Sequence, residues 1–119
     1  MGLVRIRQTP SVQTVIDGAG RGQVTFGPVP SLTSWLVSSV SVSVTGTTVG
    51  ARASVHTGDS PSDANFVEGT ETGERDASFY PTALELNEGD RLHVVWTGAV
   101  PSDSARATLR VTQVPDAIR

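Results

Sequence analysis

The chain has 119 residues, a net charge of −3 and no cysteine. That length suits one domain with a single core, and the missing cysteines exclude a disulfide framework, a thiolate metal site and a cysteine nucleophile. The negative balance argues against a nucleic-acid partner bound through charge. All nine basic residues are arginine, and nine of the twelve acids fall between Asp59 and Asp90. One end of the fold is therefore expected to be acidic and another, carrying Arg5 and Arg7, basic; a solvated acidic loop is the plainer reading of the same run. Charge follows at once on the opening Met1-Gly2-Leu3-Val4, which predicts no signal peptide. No run of about 18 apolar residues is present to span a bilayer, and Ile6 stands where a myristoylation motif needs serine or threonine.

In chain order, residues 3–8 (LVRIRQ) alternate, with Val4 and Ile6 on one face and Arg5 and Arg7 on the other. This predicts a half-buried edge strand, ended by Thr9-Pro10, with residues 1–10 able to act as an N-terminal arm. Residues 12–16 resume as a strand or as its continuation past a bulge. Residues 17–22 (DGAGRG) read as a turn; the G-x-G-x-G spacing is that of a phosphate loop, but no helical pattern follows it. Residues 23–27 form a short strand with Val24 and Phe26 inward, and Gly27-Pro28-Val29-Pro30 is a stiff link.

That link leads into the strongest signal in the chain, residues 34–46 (SWLVSSVSVSVTG). Val40, Val42 and Val44 share one strand face with Leu36, and Ser39, Ser41 and Ser43 share the other. Trp35 and Val37 fall on the serine parity. Either a bulge near Ser38-Ser39 shifts the parity and buries Trp35, or Trp35 is a surface contact residue.

Residues 49–57 place Val49, Ala51, Ala53 and Val55 inward and Arg52, Ser54 and His56 outward. Residues 58–73 read as a long irregular loop tucked onto the body by Phe66 and Val67. Residues 75–80 predict a short edge strand stopped by Pro81, and residues 84–86 another strand before a tight turn at 87–90. Leu92, Val94 and Trp96 share a face of the next strand, 92–97. In 105–113, Ala107, Leu109 and Val111 face in while Arg106, Thr108, Arg110 and Thr112 face out; residues 114–119 are a tail. No stretch has a helical period. About eight strands at roughly 8–12-residue spacing predict a single antiparallel β-sandwich over residues 1–119, jelly-roll or immunoglobulin-like.

Catalysis finds little support. No nucleophile elbow is present, and the serines suit the polar face of a sheet. His56 and His93, at outward strand positions, can face each other but need a third ligand to hold zinc. Asp59, Asp63, Glu68 and Glu71 supply oxygen donors without the spacing of a calcium loop, and the acids sit on loops, not opposed across a cleft. No catalytic residue, metal or cofactor is expected. Sugar binding through exposed rings is the rival reading, with Trp35 and Tyr80 as glycan contacts and Trp96 a further candidate; yet the chain has six aromatic residues in all, and its core needs several of them.

The run 84–98 (LELNEGDRLHVVWTG) followed by 105–112 (ARATLRVT) resembles the C-terminal part of small β-sandwich virion proteins of tailed phages infecting actinobacteria. The opening LVRIRQTP and the middle FVEGTETG are also similar to that group, and all-arginine usage fits a GC-rich host. The resemblance implies a non-enzymatic role as a capsid decoration or tail accessory protein. It implies partners among other virion proteins and copies of the chain itself, as a homo-oligomer made in the host cytoplasm and built into the virion. On this reading the interface residues are Leu3, Val4, Arg5, Ile6 and Arg7 on the first strand and Asp59, Asp63, Glu68 and Glu71 on the acidic stretch. The strand would add to a neighbour's sheet while its arginines meet the acids of another copy.

Overall fold

Two twelve-residue strands, β4 (Thr33–Val44) and β10 (Ser104–Pro115), run antiparallel through the middle of one sheet. They belong to a computed structural model that describes residues 6–45, 51–61, 66–71, 77–79 and 84–115. The other strands are β1 (Ile6–Gln8), β2 (Ser11–Val15), β3 (Gly22–Phe26), β5 (Arg52–Thr57), β6 (Phe66–Glu71), β7 (Ala77–Phe79), β8 (Leu84–Leu86) and β9 (Leu92–Thr97). Among the described residues there is no helix, and so none long and apolar enough to cross a membrane.

All strand pairs are antiparallel. In one sheet β10 pairs with β1 and β2 on one side and with β4 on the other, and β4 in turn pairs with β7 and β8; the second sheet runs β3-β9-β5-β6. β1 and β2 make one edge broken at Thr9-Pro10. The proline has no N–H to give, but its carbonyl accepts from Leu109 N at 2.9 Å, which carries the pairing across the break. Counting each broken edge once leaves eight positions, paired first with eighth, second with seventh, third with sixth and fourth with fifth. The chain is thus one long hairpin, with its tip at β5–β6, wound into two sheets: a jelly roll. An immunoglobulin order is excluded.

The core lies between the sheets. Val40, Val42 and Val44 of β4, Ala105, Ala107 and Leu109 of β10, and Leu92, Val94 and Trp96 of β9 are all buried. Ala53 and Val55 of β5, with Ala51 just before it, add a small-residue face. The parity question in β4 is settled by a register shift: Arg110 pairs with Ser39, but Val111 pairs with Val37. Ser38 is the extra residue of a bulge, and its hydroxyl donates to the Arg110 carbonyl at 3.1 Å, satisfying an acceptor beside the break in the ladder. Trp35 and Val37 therefore turn inward, at 8% and 5% exposure, and the Trp35 indole N–H donates to Gln113 Oε1 at 3.1 Å.

Three expectations about the strands are corrected. Residues 114 and 115, expected to begin a tail, end β10, paired with Ser34 and Thr33, and Val114 is buried. Leu36, expected with the valines, is 37% exposed, because the bulge lies between it and them. The stretch 58–73 is not loop throughout: residues 66–71 form β6, an edge strand paired with β5. The alternation there is obscured by a second bulge, where the partners jump from Val55↔Glu68 to His56↔Phe66.

The inward turn of Val37 yields a direct test. Burying a valine side chain is worth about 1.5–3 kcal/mol, so Val37→Ser is expected to cost about that much, and Leu36→Ser less than half of it. Urea unfolding of the two variants checks the order; the reverse order would mean that the parity of residues 40–44 extends unbroken to Leu36.

Candidate functional site

β1, β2, β4 and β10 contain three arginines and no acid: Arg7, Arg106 and Arg110. In the alternation of β10, Arg106, Thr108, Arg110 and Thr112 lie on the face away from the buried Ala105, Ala107, Leu109 and Val111. Arg7 joins that outer face because it pairs with Thr112, which in turn pairs with Leu36. Arg110 sits two residues from Thr112 on the same side, a diagonal neighbour of Arg7 at about 7–8 Å. Between them lies a groove of about 420 Å³ lined by Arg7, Gln8, Thr9, Ser38, Arg110 and Thr112, with Val111 also on its wall. Two exposed guanidiniums thus flank a polar hollow at the bulge, and neither bonds to a described carboxylate.

Farther along β10, Arg106 is tied to its own sheet. With the Gln13 amide oxygen turned toward it, Arg106 donates from Nε at 3.2 Å and from Nη2 at 2.7 Å. Thr108 donates to Ser11 Oγ at 3.0 Å. This outer face is a surface of hydroxyls and guanidiniums, groups that bond to oxyanions.

At the rim of the same sheet, Ile6 pairs with Gln113, a residue of the inward parity, yet is 44% exposed. It is an apolar side chain on the core side of an open edge strand. Of the other expected interface residues, Leu3, Val4, Arg5 and Asp63 lie outside the described residues. Asp59 is a surface carboxylate, its side chain 98% exposed and 3.6 Å from Arg91. Glu68 and Glu71 do not sit on a loop: they are on β6, at the edge of the second sheet, opposite Val55 and Arg52. β2 touches β3 and β6 touches β7, so the arginine groove and the acidic edge strand occupy opposite sides of the sandwich.

The glycan alternative loses its main platform. Trp35 is buried and offers no ring face to a sugar, Trp96 is 0% exposed, and Tyr80 lies outside the described residues. His56 and His93 do stand opposite each other, on β5 and β9. Both are buried, however, at 6% and 3% exposure, although their positions alternate with the core. Both His93 nitrogens are engaged, Nδ1 with Thr25 Oγ1 at 2.9 Å and Nε2 with the Gly58 carbonyl at 2.8 Å. A carbonyl only accepts, so Nε2 carries the proton and Nδ1 accepts from Thr25 in the neutral ring. His93 joins β3, β9 and the chain after β5. No group of three or more metal-ligating side chains exists among the described residues.

Ser54 Oγ lies 2.8 Å from His56 Nε2, the contact that a nucleophile and its base would make. Ser54 is on β5, however, paired on both sides with β9 and β6.

The glycine-rich turn has its own anion. Asp17 Oδ1 accepts from Ala19 N and Arg21 N, both at 2.9 Å, so amides that could cradle a phosphate hold the chain's own carboxylate. Gly20 has φ +80°, and a Cβ there would lie 2.8 Å from the Ala99 carbonyl oxygen, so only glycine fits this turn against the β9–β10 loop.

Sequence reasoning identified Arg7, Arg110 and Thr112 as outward residues but did not assemble them. The outward parity was visible in each strand; the pairing Arg7↔Thr112 joins the first strand to the last and has no local signal. Comparison with known proteins adds no relative: no family model, curated protein or solved structure matches this chain.

The Asp17 bonds set a pH dependence. The amides of Arg21 and then Ala19 hold its carboxyl below the ordinary carboxylate value. Its stabilising contribution is therefore complete above the unfolded-state pKa, about 3.9, and is lost as pH falls through the lower folded value. Asp17→Ala is expected to lower Tm at neutral pH, with the gap from the wild type closing as the solution is acidified through that window. Thermal melts at a series of pH values check this; a constant gap would refute it.

Proposed function

We propose that this chain is a non-enzymatic structural protein of a phage virion, a capsid decoration or tail accessory component that works by packing against copies of itself and other virion proteins. The observation that carries the assembly mechanism is the open edge at β1, with Ile6 44% exposed on its core side beside the arginine face. Such an edge presents unpaired backbone groups to another chain, and main-chain pairing supplies affinity while alternate side chains set register. The virion setting is supported by the resemblance of residues 84–112 to virion sandwich proteins. It is supported at fold level alone by the jelly-roll winding, which viral capsid domains share with lectins and other proteins.

Exposed ion pairs contribute only about 0–1 kcal/mol each, so apolar burial at the edge supplies most of the affinity on this reading. Ile6→Lys puts a charge on the core side of an edge strand, a device that blocks edge pairing. The variant is expected to keep its fold by circular dichroism and to run as a monomer in light scattering at concentrations where the wild type associates. A variant that assembles as well as the wild type would remove β1 from the mechanism.

A further inference from the structure

We infer that the groove between Arg7 and Arg110 is a binding site for a small phosphomonoester, with the phosphoryl group held between the two guanidiniums. This goes beyond the assembly reading and does not depend on it.

Three observations carry it. First, the groove exists because both neighbours of β10 leave regular pairing at one level. On one side β4 carries the Ser38 bulge, beside the step from Arg110 to Val111. On the other, β1 ends at Gln8, opposite Val111, and β2 begins only at Ser11, opposite Thr108. Such interruptions re-aim side chains and are common next to functional sites. Second, Arg7 and Arg110 are exposed diagonal neighbours on one face, and neither is paired with a carboxylate among the described residues. Like charges set together on a sheet are unfavourable. An anion between them relieves that repulsion and gains charge-assisted bonds from both forks. Third, the rest of the lining holds the Thr9 and Thr112 hydroxyls and the Gln8 amide, all able to donate, and no carboxylate.

The lining selects the ligand. One guanidinium fork satisfies a carboxylate. Two forks match a phosphomonoester, which brings a charge of about −1.5 to −2 at neutral pH and three acceptor oxygens. Nucleic acid offers one charge per phosphate and is further disfavoured by the net charge of −3. The groove, about 420 Å³, falls within the size range of small-ligand pockets, roughly 300–1,000 Å³, so a ligand body fits beside the phosphoryl group. The walls facing that body are polar. Ser38 Oγ gives its proton to the Arg110 carbonyl and keeps lone pairs for a ligand hydroxyl. A polyhydroxylated body, and hence a sugar phosphate, is the class that fits.

Titration calorimetry on the full chain at constant ionic strength tests this, with glucose-6-phosphate, inorganic phosphate, glucose and acetate as probes. Glucose-6-phosphate is expected to bind more tightly than phosphate, phosphate more tightly than acetate, and glucose not at all. Arg7→Ala/Arg110→Ala is expected to weaken glucose-6-phosphate binding at least about tenfold. Arg91→Ala/Arg106→Ala removes the same charge elsewhere and is expected to leave it unchanged. Equal loss in both double variants would overturn the site, since net charge alone would then attract the anion. If circular dichroism shows the Arg7/Arg110 variant unfolded, amide NMR shifts of the wild type decide. Saturable shifts at Thr9, Ser38, Arg110 and Thr112 support the groove; shifts elsewhere, or none, refute it. Phosphate binding as tightly as glucose-6-phosphate would remove the sugar from the inference, and a single-stranded oligonucleotide binding more tightly would replace the ligand class. None of these readouts depends on oligomeric state, so the assembly reading stands or falls separately.

Discussion

The β4–β10 ladder is the constraint from which the other features follow. Both strands have twelve residues, and their register runs from Ala105↔Val44 to Pro115↔Thr33 with one interruption. On one side of it, valine, alanine and leucine meet the second sheet; on the other, Ser38, Arg106 and Arg110 are exposed, Ser41, Ser43, Thr108 and Thr112 half-buried, and Ser39 buried. A one-residue slip would exchange these faces throughout a strand. The Ser38 bulge is such a change of parity introduced deliberately at one point. It buries Trp35 and Val37, exposes Leu36, and opens the hollow beside Arg110. Core packing at this end and the arginine groove share one cause.

The two sheets use their outer faces differently. That of the β4–β10 sheet is half exposed and lined with hydroxyls and guanidiniums. On the other sheet, His56, His93 and Val95 alternate with the core residues of β5 and β9 and are nonetheless buried. The histidines there are fastened to Thr25, Ser54 and the Gly58 carbonyl. Buried polar groups with their bonds made hold strands in place. The same economy holds at the glycine-rich turn, where Asp17 takes the amides that a ligand would need.

The distribution of charge matters more than its total. A net charge of −3 describes a mildly acidic protein, yet the arginines of β1 and β10 and the acids near β5–β6 lie on opposite sides of the sandwich.

Period-two alternation by itself determined the class of this protein. Residues 40–44, 92–97 and 105–112 each sort into inside and outside without reference to any other part of the chain, because successive side chains on a strand point to opposite faces. The turns were equally local, since glycine, proline and asparagine mark them by backbone preference. What only the tertiary structure decided is non-local: the jelly-roll order, the strand hidden within 58–73, the bulge at Ser38 and the alliance of Arg7 with Arg110. Two parities were compatible with Trp35 until β10 was laid alongside. Arg7 and Thr112 lie at opposite ends of the sequence, and cross-strand register, which no single strand encodes, makes them neighbours.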